Sequence, residues 1–158
     1  MLELFTKHSF IDLEISAQGD LEVDGHHTVE DIGICLGKAF DKALEKKQGI
    51  CRYGTCFLPM DETLVRVALD ISNRPFLHYD ANTPDQKVGE FDTCLAKEFM
   101  RAFAQNSGTT LHVDLIHGEN SHHIIEAVFK GVGRAMNQAT QKLDGMSGAL
   151  SSKGTLHE

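Results

Sequence analysis

Apolar residues fall at Ile32, Leu36, Ala39, Phe40 and Ala43, an i, i+4, i+7, i+8, i+11 spacing that lines one face of a helix. The same spacing recurs at Val128, Val132, Ala135, Met136 and Ala139. Each stripe follows a copy of H-H-x-x-E, His26-His27-Thr28-Val29-Glu30 and His122-His123-Ile124-Ile125-Glu126, set 96 residues apart. Each motif is therefore expected to open a helix of about five turns. The similarity also runs backwards. Ile11 to Ser16 and Thr110 to Leu115 are strand-like, and ahead of them Met1 to His8 and Cys94 to Phe103 are helical in pattern. An internal duplication accounts for this order more economically than coincidence.

The second copy has an extra front portion. Two β-rich runs, Ile50 to Phe57 and Thr63 to Ile71, meet at Pro59-Met60-Asp61, and loops follow around residues 73–75 and 82–84. The first copy has no counterpart to them. The expected organisation is an α+β fold of two similar halves: a first repeat over 1–47, short of its N-terminal strands, a second over 48–140, and a tail over 141–158. The chain is expected to begin inside its first repeat.

Composition narrows the function. Hydrophobic residues make up 41% and charged residues 24%, a balance that suits a soluble globular protein. The formal charge of −8 argues against nonspecific nucleic-acid binding and suits a binder of divalent cations. No apolar run approaches the length of a membrane-spanning helix, and the first residues carry no signal-peptide pattern. Four cysteines without C-x-x-C spacing point to a reduced, cytoplasmic setting, and Cys35 is expected to be a small core residue on its helix face.

Nine histidines stand out, four of them in the two pairs. On a helix, i and i+4 share a face while i and i+1 diverge by about 100°. Each pair should thus serve two different metal ions, with Glu30 or Glu126 as a carboxylate partner. Mixed imidazole and carboxylate ligands suit Mn, Fe, Co or Zn, and six-coordination would favour Mn or Fe. His112, mid-strand between Leu111 and Val113, is a further candidate, ahead of His8, His78, His117 and His157. Lys130 projects one turn beyond Glu126 and can reach the same site. At the far end, Ser151-Ser152-Lys153-Gly154 carries donors able to hold a phosphate, although its Gly/Ser-rich setting alone reads as a flexible tail.

Together these residues resemble the imidazoleglycerol-phosphate dehydratase family. The resemblance rests on Asp24-Gly25-His26-His27-Thr28-Val29-Glu30-Asp31, Arg52-Tyr53-Gly54, Pro59-Met60-Asp61-Glu62, Asp70-Ile71-Ser72-Asn73-Arg74-Pro75, Leu111-His112-Val113, Asn120-Ser121-His122-His123 through Lys130, and Ser151-Ser152-Lys153-Gly154. It implies two halves, each a mostly four-stranded sheet backed by two helices, similar to domain 2 of ribosomal protein S5. It also implies trimers assembled into a 24-mer, with two manganese ions per subunit bound between subunits.

By the same resemblance the metal ligands are His26, His27, Glu30, His112, His122, His123 and Glu126. Arg52, Arg74, Ser151 and Lys153 contact the substrate phosphate, and Glu30, Glu126 and Lys130 are candidate catalytic residues. A further ligand histidine of the family would fall just before Met1, and its acidic general acid/base on an earlier strand still. The implied reaction is loss of water from imidazoleglycerol phosphate to give imidazole acetol phosphate, with the substrate's imidazole, bound between metals, relaying the electrons. Two rivals remain: a dinuclear metal hydrolase, and a catalytically dead metal-binding assembly subunit.

Overall fold

The computed structural model describes residues 1–156; His157 lies outside them. Two long helices carry the apolar stripes, α2 (His26–Leu44) and α4 (Ser121–Thr140). Shorter helices precede each, α1 (Leu2–Ser9) before α2 and α3 (Cys94–Ser107) before α4. They pair crosswise, α1 on α4 and α2 on α3.

The two crossings are built alike. Gly37 of α2 lies against α3, where an added Cβ would stand 2.8 Å from the Phe103 carbonyl oxygen. Gly133, its counterpart 96 residues on, faces the Phe5 carbonyl oxygen of α1 at 2.7 Å by the same measure. The Phe5 and Phe103 rings meet edge-on between the two pairs, centroids 6.4 Å apart. The duplication read in the sequence is thus also present in space. Gly133→Val is expected to destabilise the protein by about 1–3 kcal/mol, because its neighbour is backbone that no rotamer change can move aside. Chemical denaturation checks this, and an unchanged midpoint would mean that the crossing opens without cost.

Strands β1 (Tyr53–Met60), β2 (Thr63–Asp70), β3 (Phe76–Asp80) and β6 (Thr110–His117) form a sheet in the order β1-β2-β6-β3. Only β3 runs parallel to its neighbour, β6. A small ribbon of β4 (Lys87–Val88) and β5 (Phe91–Asp92) leads into α3. The fold is α+β. Alternation puts Val65, Val67, Leu69, Leu111 and Val113 on the inner face, in one buried core with Ile124, Val128, Val132 and Ala135 of α4. No helix of the described residues is long and apolar enough to cross a membrane.

Several expectations need correction. Residues 11–16 form no strand. A strand needs a neighbour for its N–H and C=O groups, and none lies beside this segment among the described residues. α2 is less covered than its twin for a related reason. The stripe of α4 is fully buried, whereas Ile32 and Leu36 are half-buried and Ala39 and Ala43 exposed. The sheet covers α4, while α2 meets α3 and the segment around residues 13–20. Cys35 is consequently exposed rather than in the core. β1 starts later than expected, because Arg52 adopts a left-handed φ of 69° and Ile50 bridges instead to Lys142.

Candidate active site

The histidine pairs stand at the first turns of α2 and α4. Within each pair the rings splay, with centroids 6.2 Å apart at 88° for His26 and His27, and 6.4 Å apart at 73° for His122 and His123. Two rings so arranged face different directions. The second histidine of each pair is held in the same way. His27 Nδ1 donates to Asp20 Oδ2 at 2.9 Å, and His123 Nδ1 donates to Glu62 Oε2 at 2.7 Å. Because a carboxylate only accepts, both rings carry a proton on Nδ1 and turn Nε2 away from that anchor. A carboxylate in this position orients a metal-binding imidazole and raises its basicity. These hydrogen bonds hold His27 and His123 above the ordinary histidine range, and Asp20 and Glu62 below the ordinary carboxylate range.

Glu62 does more than orient a ring. Sitting in the β1–β2 turn, its Oε1 accepts from the backbone N–H groups of Glu119 and Asn120, at 3.2 and 3.0 Å, and from Thr63 Oγ1 at 2.9 Å. It thereby ties the sheet to the start of α4, where Asn120 Oδ1 caps the backbone N–H groups of His122 and His123. Sequence reasoning passed over Glu62 as a binding element. It is visible there only as part of P-M-D-E, 61 positions from the ring it holds.

One turn into α4, Glu126 bridges two neighbours. His122 Nε2 lies 3.0 Å from its Oε2, and the Lys130 ammonium pairs with its Oε1. The Lys130 contact, opposed by partial burial, keeps the Glu126 carboxyl below the usual carboxylate range, so it is ionised near neutrality. The first copy is looser. Glu30 is exposed and contacts neither histidine among the described residues, while His26 N donates to Asp24 Oδ1 at 2.8 Å. The two motifs border different hollows. His27 borders a groove with Asp20 and Asp31, whereas His122 borders an apolar hollow of about 550 Å³ shared with Val29, Ile32 and Ile125.

His112 lies apart from both pairs. It is on the sheet face turned away from α4, its ring between Phe76 and His78, at 5.7 and 5.5 Å. Five residues of strand, roughly 16 Å, separate it from the end of β6 that leads to α4. His78 beside it pairs instead with Asp114 at 3.3 Å.

The four candidate phosphate residues do converge. Arg52, Arg74, Ser151 and Lys153 all line one hollow of about 240 Å³, with Ser72 and Asn73 between them. Their states differ. Arg52 is buried; its Nε and Nη2 donate to Asp70 at 2.6 and 2.9 Å, and its Nη1 donates to the Leu150 carbonyl at 2.5 Å. Its guanidinium also covers the Tyr53 ring. Arg52 therefore holds the tail in place, while Arg74 and Lys153 are exposed cations facing the hollow. The tail is further tied by Gly49 N to the Gly148 carbonyl and by Leu143 N to the Gly49 carbonyl. It packs as a wall of the hollow, held by these bonds despite its Gly/Ser-rich composition.

The family model described as imidazoleglycerol-phosphate dehydratase matches residues 1–136. The chain belongs to the imidazoleglycerol-phosphate dehydratase family. It is thus an enzyme of the hydro-lyase class, and the resemblance carried by its motifs is borne out. The Desulfotalea psychrophila imidazoleglycerol-phosphate dehydratase is 59% identical over 156 residues, covering 99% of this chain and 78% of that protein. The Trichlorobacter lovleyi one is 56% identical, covering 99% and 80%. Among solved structures, the Staphylococcus aureus dehydratase superposes with a TM-score of 0.85 at 48% identity, covering 90% of this chain and 80% of that one. The Pyrococcus furiosus dehydratase in complex with (S)-C348 also reaches 0.85, at 40% identity, covering 98% and 82%.

Proposed function

We propose that this protein dehydrates imidazoleglycerol phosphate to imidazole acetol phosphate in histidine biosynthesis, using two manganese ions per subunit within a homo-oligomer of trimers assembled as a 24-mer. A cytoplasmic setting is part of the same proposal. The observation that carries it is the matched anchoring of His27 and His123, each with Nδ1 on a carboxylate and Nε2 left clear of that bond. Such rings, with Glu30 and Glu126 nearby, make a donor set suited to manganese.

Among the described residues of one chain, no three His, Cys, Asp or Glu side chains come together around a common point. Ligand shells drawn from His26, His27 and Glu30 and from His122, His123 and Glu126 would accordingly be completed across subunit contacts. His112 would join a shell only where another chain meets its sheet face. Bound there, the ions would supply Lewis acidity toward the substrate imidazole. The chain's own residues do the remaining work. Arg74, Lys153 and Ser151 grip the phosphate, Arg52 holds the tail that bears two of them, and Glu126, kept ionised beside Lys130, accepts a proton at a carboxylate oxygen.

The test is turnover of imidazoleglycerol phosphate by manganese-loaded protein. Ions bound without any product would leave the metal-binding assembly subunit as the better reading. In the same assay Lys153→Ala is expected to raise KM roughly tenfold or more, by about 1.5–3 kcal/mol, with a smaller change in kcat. A KM equal to that of the parent would remove the phosphate role from the tail.

A further inference from the structure

Lys47, just past α2, is the one fully buried lysine among the described residues. Its ammonium lies 2.6 Å from Asp41 Oδ1 and donates to Asn73 Oδ1 at 3.1 Å. Gly108, at φ 68°, closes the other side, and a Cβ there would stand 2.6 Å from Asn73 Oδ1 and 3.3 Å from Lys47 Nζ. An ammonium only donates, so the oxygen must be the end of the Asn73 amide that faces Lys47. Nδ2 is the remaining end, and it donates to no protein atom among the described residues. Asn73 stands between Ser72 and Arg74 in the wall of the anion hollow, with its backbone at φ 59°, a left-handed conformation that asparagine tolerates. The turn is pinned from beneath as well. Thr110 Oγ1 donates to the Arg74 carbonyl at 2.8 Å, and Arg74 N donates to Ser72 Oγ at 3.2 Å.

We propose that Asn73 Nδ2 is a further donor to the substrate phosphate, and that Lys47 is a positioning residue fixing which end of that amide faces the hollow. An amide free to flip would present its oxygen to an anion in part of the population, and the Lys47–Asp41 pair removes that state. This inference rests on the hollow's being the phosphate subsite.

Titration of inorganic phosphate into the purified protein tests both, with Lys153→Ala as the reference. Asn73→Gly removes the amide yet relaxes the left-handed backbone. It is expected to stay folded, with some loss of melting temperature from the acceptor that buried Lys47 gives up, while weakening phosphate binding roughly tenfold. KM for the substrate should rise by a larger factor than kcat falls. Lys47→Met, added to Asn73→Gly, should weaken phosphate little further, because it acts through the amide already removed. Should the double variant fail to fold, Asn73→Gly alone decides. If Lys153→Ala weakens phosphate binding and Asn73→Gly does not, the Asn73 role is overturned and the subsite stands. If neither weakens it, the phosphate subsite itself is overturned, and the Asn73 role with it.

Discussion

On the function proposed above, Glu126→Ala is expected to lower dehydration by roughly a hundredfold or more, because it would remove a metal ligand and a proton-accepting carboxylate in one step. Metal content measured by elemental analysis should fall in parallel. The substitution strips two neighbours of their partner, His122 at 3.0 Å and the Lys130 ammonium. Glu62→Ala makes the informative comparison, since Glu62 acts through His123 rather than on substrate, and a loss of about 10–100-fold is expected there. Turnover and metal content both at parental levels in Glu126→Ala would show that α4 carries this glutamate for some other purpose.

Asp70→Ala is expected to be among the most destabilising single changes, at about 3 kcal/mol. It leaves the buried Arg52 guanidinium with the Leu150 carbonyl as its remaining hydrogen-bond acceptor, beside the Tyr53 ring, and breaking a buried pair from one side costs more than the pair contributes. Asp70→Asn should lose less, since one acceptor survives. The damage should spread to residues 148–156, which Arg52 holds through the Leu150 carbonyl, so cleavage there by a protease should quicken. A urea midpoint at the parental value would show that Arg52 finds water in place of Asp70.

The repeat, the helices and the β1–β2 pair were legible because each is written in local periodicity. The two H-H-x-x-E motifs mark the starts of α2 and α4 to within a residue. β3 escaped notice because its five residues lie between two turn clusters, and its pairing partner β6 enters the sequence thirty residues later. The segment at 11–16 misled for the opposite reason: it alternates like a strand, but alternation supplies no neighbouring strand. Cys35 misled likewise, because a stripe says which residues share a face and not what covers it. At the site, the residue types were readable and their connections were not. Nothing near Arg52 in sequence announces that its fork is taken by Asp70, or that Leu150 receives its last donor. Glu62 and Asn73 share this fate, each being defined by a bond to a residue 61 or 26 positions away.

The hollow proposed to take the phosphate draws its wall from positions 52, 72–74 and 151–156. About a hundred residues of intervening chain, with the entropy that their ordering removes, must be in place before Arg52 can reach Leu150. No partly folded intermediate lacking the tail can own this site, so an anion that enters it selects for the completed molecule. If the substrate phosphate sits there as proposed, mass action makes the substrate favour the fold that binds it, more strongly as its concentration rises above Kd. The enzyme would accordingly be hardest to unfold when substrate is plentiful.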